Sequence, residues 1–154
     1  MNDKEMEEER NVSITKNSNP AIPNGVHLLT GVDEFRIETE WDHIDGWAII
    51  LDGKTYIAYY DPDDGYRSYA GFREATDEEC KSINIINRFP PQEVFSTAYR
   101  ERIEEDGWCQ VDAEKFRLLN FCGGIVLEVS TDYSEDYYPR GHVEYNPENL
   151  PINK

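Results

Sequence analysis

Asp61, Asp63 and Asp64 put three carboxylates into four positions of the stretch YIAYYDPDDGYRSYAGFRE, residues 56–74, and Arg67 follows among tyrosines. Oxygen donors crowded in this way are the ligand chemistry of hard cations, Ca²⁺ or Mg²⁺. The spacing departs from a calcium loop. Counted from Asp61, the fifth position needs an oxygen ligand and is Gly65, and the twelfth should be glutamate and is Phe72. Turn chemistry explains other features of the stretch. Pro62 presets its own φ, Asp61 can cap the turn through its side chain, and Gly65 supplies positive φ without steric cost. A tight loop joining two strands is therefore expected. Arg67 is expected to organise it, because a guanidinium bridges two crowded carboxylates with a bidentate grip. Asp61, Asp63, Asp64, Tyr66 and Tyr69 then form either a partner-binding surface or, for the three acids, a weak cation site.

The stretch STDYSEDYYPRGH, residues 130–142, repeats the theme. Asp132, Glu135 and Asp136 alternate with Tyr133, Tyr137 and Tyr138. One reading packs Tyr133 and one of the Tyr137–Tyr138 pair inward and leaves the acids solvated. The other makes the stretch a second contact surface, since tyrosine offers a rigid face and a polar tip at low entropy cost.

Catalytic signatures are missing from the sequence. It has no G-x-S-x-G elbow, no phosphate-cradling glycine loop and no H-E-x-x-H. Carboxylate pairs are so abundant that no single pair stands out as acid and base. Cys80, Cys109 and Cys122 are widely separated, as are His27, His43 and His142, and neither spacing predicts zinc or a disulfide framework. A non-enzymatic protein without a cofactor is expected, in a reducing compartment.

Charge narrows the partners. With 32 Asp and Glu against 15 Lys and Arg, the formal net charge is −17. Such a field repels nucleic acid and anionic membrane and attracts basic protein surfaces; solubility alone is the plainer explanation. The beginning, MNDKEMEEER, is acidic where a secretory signal is basic and then apolar, and the longest uninterrupted apolar run is Trp47 to Leu51. A cytoplasmic location is the expectation.

These residues must be held by a β-rich body. Residues 1–24 read as a polar, acidic tail, 25–150 as one domain, and 151–154 as a frayed end; NPENLPINK is rich in breakers throughout. EFRIETEW alternates Phe35, Ile37, Thr39 and Trp41 with charged residues, the period of a half-buried strand. Asp52-Gly53 and Cys122-Gly123-Gly124 each lie between apolar runs and predict hairpins. Residues 92–105 fit a helix with Val94, Phe95, Ala98, Tyr99 and Ile103 on one face, and also fit a strand in which Phe95, Thr97, Tyr99 and Ile103 share a face. Their density of β-branched and aromatic residues favours strand. The fold class is mainly β, or α+β, built on an antiparallel sheet with tight hairpins.

DPDDGYRS, RFPPQEV and the terminal YYP and PENLP resemble a loosely defined group of small acidic bacteriophage proteins, over about residues 45–152. The resemblance implies a phage origin and carries no mechanism. Joined to the charge, it suggests an inhibitor that engages a basic, nucleic-acid-binding host protein by imitating phosphates. Alternate strand residues lie about 6.6 Å apart, from a rise of ~3.3 Å per residue, and Glu38, Glu40 and Asp42 are offered in that spacing. The alternatives are a divalent-cation module at Asp61–Asp64 and a structural subunit that forms a homo-oligomer.

Overall fold

The computed structural model describes the chain except residues 1–10, 17–21, 41, 63–65, 106–107, 134–138 and 151–154, and the side chains outside 11–16, 100–105 and 108–113. It is mainly β. The strands are β1 (Asn11–Lys16), β2 (Gly25–Glu38), β3 (His43–Leu51), β4 (Lys54–Asp61), β5 (Tyr69–Glu74), β6 (Arg88–Glu105), β7 (Trp108–Leu119), β8 (Ile125–Asp132) and β9 (Arg140–Tyr145). A short helix α1 (Asp77–Ser82) precedes β6, and a 3₁₀ turn, Pro147–Asn149, follows β9. The sheet order is β5-β4-β3-β2-β6-β7-β8-β9, with β1 on β6. Every pairing is antiparallel. Two four-strand meanders, β2–β5 and β6–β9, thus join through β2 and β6.

Local chemistry sets the joins. At Asp52-Gly53, Leu51 pairs with Lys54 and both turn residues have positive φ, 54° and 82°. This is the two-residue turn whose twist matches that of the flanking strands. Asp52 tolerates its φ because its carboxylate is used twice. Oδ1 accepts from the Leu28 amide at 3.0 Å, and Oδ2 lies 2.5 Å from Nδ1 of His27. The Cys122-Gly123-Gly124 hairpin also forms, between β7 and β8. Residues 92–105 are strand, within β6. Pro90 and Pro91 are accommodated because the β2–β6 register shifts there, from Leu29↔Gln92 to Gly31↔Arg88, so neither proline must donate to the ladder.

Two apolar clusters sit on opposite faces. The larger holds Leu29, Val32, Ile49, Leu51, Tyr56, Val94, Phe116, Leu118, Leu127 and Val129 on the concave side. Phe72 of β5 stacks on Phe116 of β7 (4.1 Å, 12°) and on Tyr56 of β4 (5.2 Å, 8°), which ties the meanders face to face. The smaller lies outside and contains Phe35, Ala48, Ile50, Ile57, Ala75 and Ile85. Its lid is the crossover that carries α1. Thr76 and Glu79 form a capping box, Arg73 grips both Glu79 oxygens (2.8 and 2.7 Å), and the Asp33 carboxylate accepts from the amides of Ile86 and Asn87.

Several expectations are corrected at the ends. Asn11–Lys16, inside the stretch read as a tail, is strand β1, registered with β6 from Asn11↔Glu104 to Lys16↔Tyr99. Ile22 is buried, and Pro23 accepts hydrogen bonds from Ser96 Oγ (3.0 Å) and His27 Nε2 (2.8 Å). The breaker-rich terminus does not fray as far back as Leu150, which is fully buried. Asn120 and Asn149 staple its turn to the β7–β8 hairpin.

Candidate functional site

The two acidic, tyrosine-bearing loops meet. The pairing Asp61↔Tyr69 leaves residues 62–68 as the β4–β5 loop, and Asp132↔Arg140 leaves 133–139 as the β8–β9 loop. The first is longer than the tight loop expected. The Ser68 amide donates to the Pro139 carbonyl, and the Gly141 amide to Ser68 Oγ, each at 2.9 Å. Ala70 N and O both bond Thr131 Oγ1, at 2.9 and 3.0 Å. These bonds draw the outermost strands of the coiled sheet together. Gly141 is required at the crossing, because a Cβ there would stand 2.5 Å from the Tyr69 carbonyl carbon.

Of the residues expected to form the site, Asp61, Pro62, Tyr66, Arg67, Tyr69, Asp132 and Tyr133 are described. Asp63, Asp64, Gly65, Glu135, Asp136, Tyr137 and Tyr138 lie outside the described residues. Asp61 and Tyr69 are half-buried strand-end residues, Tyr66 is 73% exposed, and Tyr133 donates its hydroxyl to Glu114 at 3.1 Å. The phosphate-like row does not form. β2 ends at Glu38, and Thr39 and Asp42 close a turn through Thr39 N→Asp42 O and Asp42 N→Thr39 Oγ1, so Glu38, Glu40 and Asp42 do not share one strand.

Beside the joined loops lies an open groove of about 640 Å³. Its walls are Glu34 and Arg36 of β2, Asp45 and Trp47 of β3, Tyr60 of β4 and Gly141–Val143 of β9. The period of β2 explains the wall. Phe35 and Ile37 turn outward to the smaller cluster, which leaves Glu34 and Arg36 on the groove side. Trp47 is half-buried, with its ring 4.9 Å from that of Tyr145. Asp45 is neutralised by Arg36 Nη2 (3.5 Å) and approached by His43 Nε2 (3.3 Å), whereas Glu34 has no cation partner among the described residues. Burial, aided by the carboxylates of Asp33 and Glu148, pushes the phenol of Tyr145, the ring partner of Trp47, up. Gly46 lets β3 approach β4 here: a Cβ would fall 2.0 Å from the Ala58 carbonyl oxygen.

A second constellation lies on β8 and β9. Glu128, His142 and Glu144 place one ligand atom each within 4.8 Å of one another. His142 Nε2 is 3.3 Å from Glu144 Oε1 and 3.8 Å from Glu128 Oε1, while Arg117 Nε donates to the other Glu128 oxygen at 2.6 Å. Elsewhere, Val26, Leu28, Phe95 and Phe121 expose apolar surface, with a shallow hollow between Val26, Phe95 and Phe121. Sequence reasoning missed the groove. Glu34 and Arg36 read as the wet face of a strand; the β2–β3–β4 register sets Trp47 beside Glu34 and Tyr60 beside Asp45, and only the coil of the sheet brings Val143 of β9 opposite them.

The fold and the groove define a coiled antiparallel β domain with an acidic, aromatic cleft at the meeting of its edge strands. Comparison with known proteins found no matching family model, no similar curated protein and no similar solved structure. No helix among the described residues is long and apolar enough to cross a membrane.

Proposed function

We propose that the protein is a non-enzymatic binding protein that captures a basic segment of another protein in the Glu34–Trp47–Tyr60 groove. The observation that carries this reading is Glu34, a carboxylate with no cation partner among the described residues, in a groove with aromatic walls and a chain of net charge −17. A lysine or arginine side chain laid there meets Glu34 and the face of Trp47 together, ion pair and cation–π contact at one point. The field of the whole domain speeds the encounter. A basic nucleic-acid-binding host protein fits this chemistry and agrees with the resemblance to acidic phage proteins, the protein then acting as an inhibitor in the host cytoplasm.

The test is a tryptophan-fluorescence titration with capped basic and acidic octapeptides, from low salt to about 0.5 M, where the Debye length falls to a few Å. Selective binding of the basic peptide that weakens steeply with salt supports the reading. Equal binding of both peptides, or of neither, sinks it.

A cation-binding reading keeps one observation in its favour, the Glu128–His142–Glu144 set. Its nitrogen donor suits Zn²⁺ or Mn²⁺ better than Ca²⁺. Melting curves with each ion and with chelator test it, and His142→Ala must abolish any stabilisation.

A further inference from the structure

Backbone geometry defines how a segment can lie in the groove. The Asn146 amide donates to the Val126 carbonyl, so alternation along the antiparallel β8–β9 pair points the amides and carbonyls of Glu144 and His142 toward β8. Those of Val143 and Tyr145 point away from it, to the free edge. Gly141 obeys the same parity, since its amide leaves β8 to reach Ser68 Oγ. The edge-facing groups of Val143 make no hydrogen bond among the described residues. β2 is open in the same direction. Its ladder with β6 ends at Gly31↔Arg88, and Val32 N donates to Asn87 O, away from β3. By alternation, Glu34 and Arg36 also turn their backbone groups away from β3, into the groove. Among the described residues the cleft is therefore bordered by unpaired strand edge on two sides, at Val143 and at Glu34–Arg36.

An unpaired edge is a template for another strand, and proteins usually blunt or cover it. We propose that a basic, extended segment of a partner protein adds as a strand along the free edge of β9, hydrogen-bonding through Val143 and directing alternate Lys or Arg side chains onto Glu34 and Trp47. This rests on the function proposed above and specifies its binding mode. Charge complementarity chooses the occupant: Glu34 is the groove carboxylate with no cation partner among the described residues, and a second copy of this chain would bring a further −17 into the same field.

The test uses a capped octapeptide of alternating Arg and Val, titrated into the full chain and followed by amide hydrogen exchange. Binding is expected to slow exchange at Val143 at least about tenfold, as for an amide newly enclosed in a ladder. A peptide N-methylated at the residues that would donate to β9 keeps its charge and is expected to bind at least about tenfold more weakly. Val143→Pro removes the edge donor without touching the β8 ladder and is expected to weaken binding to a similar degree, and the N-methyl peptide serves if that variant misfolds. Glu34→Gln is expected to cost about threefold, the scale of one exposed ion pair. Binding with unchanged Val143 exchange and indifference to N-methylation overturns strand addition while leaving basic-peptide capture intact. No binding of the unmodified peptide overturns the capture reading and the strand addition with it.

Discussion

Glu79→Gln probes the device that fastens the crossover over the outer cluster. Glu79 accepts both arginine bonds from Arg73 and one from the Thr76 amide at 2.9 Å. The Arg73 hydrogen bonds, working against burial and joined by the Thr76 amide, hold its carboxyl down to about 2 against an ordinary 4.5. Taken in full, that gap corresponds to about 3 kcal/mol at 1.36 kcal/mol per pKa unit. Arg73 is 43% exposed, so screening reduces the share realised in stability to about 1–2 kcal/mol. A domain of this size then loses about 3–6 °C in melting temperature. Because the folded-state pKa is depressed, the contribution is complete above the unfolded value near 4.5 and disappears as pH falls toward 2. Urea unfolding of wild type and Glu79→Gln at pH 7, 4 and 3 measures it, and the difference between proteins cancels the other carboxylates. The difference is expected to be largest at pH 7 and to shrink steadily below pH 4.5. A difference that is negligible at pH 7, or constant down to pH 3, refutes the reasoning.

Three further outcomes follow from local geometry. Gly46→Ala drives a methyl into the Ala58 carbonyl at φ 148° and is expected to cost about 3 kcal/mol or more in chemical denaturation, whereas Gly53→Ala, with open space at φ 82°, costs about 1 kcal/mol. His27→Ala leaves the Asp52 carboxylate and the Pro23 carbonyl without their shared donor, and a loss of about 1–2 kcal/mol is expected by the same assay. Although burial works against the charge, the Leu28 amide and His27 hold the Asp52 carboxyl below its usual value. Asp52→Asn is therefore expected to be more damaging at pH 7 than below pH 4, measured as the change in urea midpoint.

The elements were legible where one local rule acted alone. Asp52-Gly53 spelled its hairpin because only a short list of residues tolerates positive φ twice in succession. The alternation around Phe35 and Ile37 named their face. The strand at 92–105 was separable from a helix only by its β-branched and aromatic residues, and the face that carries Phe95 and Thr97 is not the buried one, which holds Val94, Ser96 and Ala98. β1 escaped notice because its partner, the distal half of β6, is remote in sequence and the alternation in NVSITK rests on two apolar residues alone, Val12 and Ile14. Leu150 looked like part of a loose end because it lies among chain breakers, yet it follows the 3₁₀ turn Pro147–Asn149 directly and is fully buried. The acidic loops were visible as residues, but their contact through Ser68 and Pro139 was not, since nothing in either stretch encodes the coil of the sheet. The groove belongs to that coil, and so do the exposed edges of β9 and β2.

The central claim is that basic segments lodge in this groove. The most direct measurement is amide and indole NMR shift mapping of the protein titrated with the capped Arg–Val octapeptide at low salt. Saturable shifts are expected at Glu34, Arg36, the Trp47 indole and Gly141–Val143. Shifts confined to the Val26–Phe95–Phe121 surface, or scattered over the acidic exterior without saturation, would contradict it.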